Sequence, residues 1–127
     1  MKKHLALLTS ATLTFTAPAM AADGHTHQGK NGGKVVETGH HHMEIVAKDG
    51  VLQVYLAHDD GKAEDVSGAK ATATVLSEGK KEDVALSPDP ANFLKGTGTF
   101  KAIKGTTIVV TLTMPGHKPE QARIKLD

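Results

Sequence analysis

The residues best equipped for chemistry stand in a short run, His40-His41-His42-Met43-Glu44, with His25-Thr26-His27 upstream and His58-Asp59-Asp60 downstream. Imidazole and carboxylate together suit Zn, Cu(II), Ni or Co, and a thioether from Met43 or Met114 would shift the preference towards Cu(I). On an extended backbone side chains alternate, so His40, His42 and Glu44 are expected on one side of a strand and His41 and Met43 on the other. Two imidazoles two residues apart on one face can grip a single ion at nitrogen–metal distances of ~2.0–2.1 Å. His40 and His42 are therefore the expected ligand pair, with Glu44 as a third ligand or as the acceptor that orients an imidazole N–H. His25 and His27 could close over the bound ion, although flexible ligands carry an ordering cost and bind weakly alone.

The chain contains no cysteine, so thiolate ligands and disulfide staples are both excluded. A closed structural zinc site is not expected, and reversible surface binding is. Such binding should weaken below about pH 6.5, where protons compete for the imidazoles. Catalytic templates are missing: there is no Gly-x-Ser-x-Gly elbow, no phosphate-binding glycine loop and no His-Glu-x-x-His helix. Ser, His and Asp occur without any feature that would organise a triad, so the chain does not read as an enzyme. Hydrolysis is a third hypothesis, and it would require a turnover that loss of His40 and His42 abolishes.

Elements that alternate with period two must position these residues. Strands are expected at Gly33 to Glu37, His41 to Lys48, Val51 to His58, Lys70 to Ser77, Glu82 to Leu86, Thr106 to Met114 and Ala122 to Leu126, with Phe93 to Ala102 less regular. Lys48-Asp49-Gly50 reads as a tight hairpin turn, which sets His58 opposite His40 or His41 at about 5 Å between Cβ atoms. That convergence depends on register, and a slip of one residue would undo it. Pro88-Asp89-Pro90 is expected to end its strand. His117, in Pro-Gly-His-Lys, reads as a turn residue, and Met43 and Met114 as core fillers. About seven strands imply an all-β fold, a two-sheet antiparallel sandwich of Greek-key or immunoglobulin-like type, with an open barrel as the alternative.

The chain has 127 residues, of which 1–21 read as a signal peptide: Lys2 and Lys3, an apolar stretch from Leu5 to Ala17, and Ala19-Met20-Ala21 as the cleavage site. Cleavage would leave about 106 residues, enough for one domain, with a flexible arm over 22–32 and the β-domain over 33–127. Loss of Lys2 and Lys3 leaves 13 basic against 14 acidic residues, a net charge of −1, which argues against a nucleic-acid partner or an anionic membrane. No later stretch is long and apolar enough for membrane insertion. Seven of the eight histidines survive cleavage, the one strongly skewed number in the composition. Leu, Ile, Val and Phe make up little more than a fifth of the remainder, so the core must be thin.

The runs Asn31-Gly32-Gly33-Lys34-Val35-Val36-Glu37, His41-His42-Met43-Glu44-Ile45-Val46, Lys48-Asp49-Gly50 and Val54-Tyr55-Leu56 resemble the N-terminal β-domain of periplasmic adaptor subunits of heavy-metal efflux pumps of the cobalt-zinc-cadmium class. The chain is also similar to small exported proteins made of that domain alone. Ala69 to Leu76 and Phe93-Leu94-Lys95-Gly96 follow the same pattern loosely, so the resemblance covers about residues 25 to 126. It implies a periplasmic metal-binding protein that buffers a transition-metal ion or delivers it to an efflux system, with an efflux-pump adaptor as partner. The competing expectation is a metal-independent domain that docks onto an envelope adaptor by a sheet edge. Two departures matter. Asn31 stands where that family commonly has His before the Gly-Gly pair, and the coiled-coil and lipoyl-like parts of full adaptors are absent, so the chain is not expected to bridge two membranes itself.

Overall fold

The computed structural model describes residues 26–127; the expected signal peptide over 1–21, Ala22 to Gly24 and His25 lie outside the described residues. The alternation seen in the sequence becomes strands β1 (His27–Gln28), β2 (Lys34–Thr38), β3 (His41–Lys48), β4 (Val51–Ala57), β5 (Lys70–Ser77), β6 (Lys80–Asp89), β7 (Phe93–Thr97), β8 (Thr107–Thr113) and β9 (Glu120–Lys125). No helix occurs among the described residues, and so none long and apolar enough to cross a membrane. Every strand pair is antiparallel.

The all-β expectation holds, but two separate sheets of about seven strands do not describe the arrangement. Nine strands follow one hydrogen-bonded order, β1-β2-β3-β4-β7-β6-β5-β8-β9, which curls into a half-barrel nearer the open-barrel alternative. Strand β6 is the reason. Its residues up to Leu86 pair with β5, whereas Ser87, Pro88 and Asp89 pair with β7, so one strand serves both halves of the curl. Pro88 continues β6 instead of ending it, because β5 has already left that flank and a residue without an N–H is tolerated on a free edge. Gly96 of β7 lies against this bend: a Cβ there would come within 2.6 Å of the Ala85 carbonyl oxygen and of Val84 Cγ1.

One face of the curl is the core. Met43 and Ile45 of β3, Leu52, Val54 and Leu56 of β4, Val75 of β5, Leu94 of β7 and Ile108, Val110 and Leu112 of β8 are all buried, and Met114 joins them. Many of the remaining inward positions are alanine, namely Ala71, Ala73 and Ala122, which makes the core thin. Burial of roughly 25 cal/mol per Å² of apolar surface drives the curl, since a flat sheet would leave this face wet.

The curl brings β9 alongside β2 without a backbone ladder between them. Side chains close this seam at both ends. Lys34 Nζ donates to the Lys125 carbonyl oxygen at 2.6 Å and pairs with Asp127 at 3.0 Å. At the other end Thr38 Oγ1 donates to Glu120 Oε2 at 3.2 Å.

Candidate functional site

Strand β3 begins at His41, whose side chain shares the inward side with Met43 and Ile45. Glu120 opens β9 on the inward side of Ala122 and Ile124, and Thr38 of β2 shares its side with Val36. All three therefore meet at one pole of the half-barrel, where the apolar core ends. Glu64 reaches the same place from the β4–β5 connection. Its backbone N–H donates to the Leu56 carbonyl at 3.0 Å, and Asn92 Nδ2 donates to its carbonyl at 3.0 Å.

His41 is only 3% exposed and has a carboxylate at each ring nitrogen. Nδ1 lies 2.7 Å from Glu120 Oε2 and Nε2 lies 2.8 Å from Glu64 Oε2. The Glu120 contact is a hydrogen bond. The Glu64 contact is equally short, yet Glu64 Oε2 is buried without an aligned hydrogen bond from any described residue, so the attraction there is chiefly that of charge. Burial alone would push the His41 pKa down, but the hydrogen bond and charge of Glu120, and then Glu64, outweigh it and leave it above the ordinary 6.5. For Glu120, burial would raise the pKa; its bond to His41, the charge of that ring, the Thr38 hydroxyl and the His40 backbone N–H together hold it below the ordinary 4.5.

Three further imidazoles stand around this clamp. His40, in the β2–β3 turn, has its ring centre 6.3 Å from that of His117, and His117 lies edge-on to His41 at 6.0 Å. His117 belongs to the β8–β9 turn, where its N–H donates to the Met114 carbonyl at 3.1 Å. His58 Nδ1 lies 3.8 Å from Glu64 Oε2. Among the described residues no hydrogen bond engages the rings of His40, His58 or His117. The turn assignment of His117 is correct, but its ring joins a cluster that the sequence reading did not include.

His42 faces the other way. Its Nε2 lies 3.8 Å from Glu37 Oε1 and 3.7 Å from Asp59 Oδ1 on the outer surface. It lines a cleft of about 400 Å³ together with His27, Tyr55, Leu56 and Ala57. Glu44 borders this cleft but its carboxylate is already engaged: it accepts from Asn31 N at 2.8 Å, Gly33 N at 2.9 Å and Asn31 Nδ2 at 3.0 Å. Glu44 thus anchors the β1–β2 loop, and a Cβ on Gly29 would collide with it.

Against the expected ligand set, the structure separates His40 from His42, because β3 starts at His41 and leaves His40 in a turn. The register that was to carry His58 towards His41 is the one observed, with His42 opposite Ala57 and Lys48 opposite Val51. His58 itself lies one residue past the ladder and meets His41 through Glu64. His27, expected in a flexible arm, pairs with Val35 as part of β1 and sits with His42, not at the pole. Met43 and Met114 are core residues as expected. Glu64 and Glu120 were not singled out. Glu120 could have been suspected only from the non-local meeting of β2 and β9, and Glu64 lies in an irregular connection with no periodic signal.

Among the described residues, no three or more His, Asp or Glu side chains converge closely enough to hold a metal ion as they stand. No family model, curated protein or solved structure matches the chain.

Proposed function

We propose that this chain captures a transition-metal ion at the imidazole pole, with His40 and His117 as ligands and His58 as an auxiliary donor. In an exported setting it would buffer the ion or hand it to a heavy-metal efflux complex, in line with the resemblance of its first strands to adaptor β-domains. The observation that carries this reading is that four imidazoles from three separate segments gather at one pole. His41 spends both nitrogens on carboxylates and serves as the fixed base of the cluster. The other rings sit on turns and have nitrogens open to an ion. His40 and His117 are exposed on turns with ring centres 6.3 Å apart, an arrangement that suits reversible uptake of an ion.

The ion is cargo, and its uptake releases any proton that the ligand rings carry. The test is calorimetric titration of Zn, Cu and Ni into the chain from residue 22, into a His40→Ala/His117→Ala variant and into His42→Ala. The expected result is saturable binding that weakens at least tenfold in the double variant and is unchanged by His42→Ala. Binding that follows His42 would move the site to the outer cleft. No binding at all would favour the second reading, metal-independent docking, which draws support from the edge that β1 presents at the start of the sheet order, where it pairs only with β2.

A further inference from the structure

We infer that an ion shared by His40 and His117 acts as a clasp across the β2–β9 seam, so that metal occupancy controls how firmly β9 is docked. This deepens the metal-capture reading and rests on it. The seam is the one junction around the curl that has neighbouring strands but no backbone ladder among the described residues. It is held by Lys34 at one end and by the Glu120 contacts at the other.

The two rings lie on opposite sides of that junction. His40 is carried by the turn that follows β2, and His117 by the turn that precedes β9. A ring centre lies about 3.2 Å from an ion bound to its nitrogen, once the imidazole's own radius is added to the metal–nitrogen distance. At a tetrahedral angle two rings that share an ion stand about 5.2 Å apart centre to centre, so the observed 6.3 Å must close by about 1 Å, which rotation of these two exposed side chains would supply. Water would complete the coordination.

An ion that binds only when the two turns are adjacent favours the closed seam by mass action, by a factor of one plus its concentration over its dissociation constant. At 100 times the dissociation constant, opening of the seam becomes about 100-fold rarer. The consequence is local. Strands β5 and β6 lie on the opposite side of the curl, and their mutual ladder is complete without the seam.

Hydrogen exchange read by mass spectrometry tests this on the whole chain from residue 22, with Zn at about 100 times the dissociation constant found by calorimetry, and with chelator instead. Slowing by up to about 100-fold is expected in peptides covering Lys34–Thr38 and Glu120–Lys125, with little change over the β5–β6 hairpin. His117→Gln, which keeps the turn polar, should abolish the slowing. Calorimetric binding with unchanged exchange at the seam would overturn the clasp and leave metal capture standing. Absence of binding would overturn both, and equal slowing everywhere would show that the ion stabilises the fold globally without acting at the seam.

Discussion

Replacing His41 with leucine keeps an apolar body of similar size but leaves Glu64 and Glu120 facing each other without the ring that now separates them. Both of its close contacts, at 2.7 and 2.8 Å, are lost at once. Breaking a buried ionic group by removing one partner costs about 3–5 kcal/mol. The two carboxylate side chains are each 15% exposed, so water can reach them and the lower end, ~3 kcal/mol, applies. For a domain of this size each kcal/mol lowers Tm by roughly 4–8 °C, which gives a drop of about 12–24 °C. Adding Glu64→Gln and Glu120→Gln to the leucine variant should recover much of it, because the uncompensated charges are then gone.

The same cluster sets a pH profile, best followed by thermal denaturation with a chelator present. The raised pKa of His41 means that its stabilisation is complete below about pH 6.5 and is lost as pH rises through the folded value. The lowered pKa of Glu120 means that its contribution is present above about pH 4.5 and is lost as pH falls through the folded value. Stability should therefore be greatest between these limits, and His41→Leu should lose the alkaline decline. A variant that melts within 2–3 °C of the parent, on the order of 0.5 kcal/mol, or a parent profile with no alkaline decline, would refute the reasoning.

Two further outcomes follow from the structure. Glu44→Gln weakens three acceptor contacts to Asn31 and Gly33 and should cost about 1–3 kcal/mol, read as a lower denaturant midpoint and faster exchange over Gly29–Gly33, with metal affinity unchanged. Gly96→Ala places a Cβ 2.6 Å from the Ala85 carbonyl oxygen at the bend of β6, and a loss of roughly 1–3 kcal/mol in urea denaturation is expected.

Local physics made much of the fold legible. The Lys48-Asp49-Gly50 turn fixed the β3–β4 register, and in the expected strands the period of two puts Leu52 with Val54, and Ile108 with Val110 and Leu112, on single faces, which are the buried ones. What alternation cannot tell is which strands become neighbours. The passage of β6 from one half to the other depends on a bend opposite Gly96, and the β2–β9 seam joins residues 82 positions apart, as Thr38 and Glu120 illustrate. The site was legible in the same partial way. Alternation correctly set His41, which faces the pole, apart from His42, which faces outward. The sequence does not reveal that the loop from Gly29 to Gly33 folds back over Glu44 and hydrogen-bonds its carboxylate. His117 and Glu120 reach the pole only through the curl of the sheet.

The most direct measurement is a zinc titration followed by nitrogen-15 NMR of the imidazole side chains at constant pH. The account predicts that the ring signals of His40 and His117 move together to saturation at one equivalent, while those of His42 and His27 stay in place. Movement confined to His42 and His27, or no movement of any ring at millimolar zinc, would contradict it.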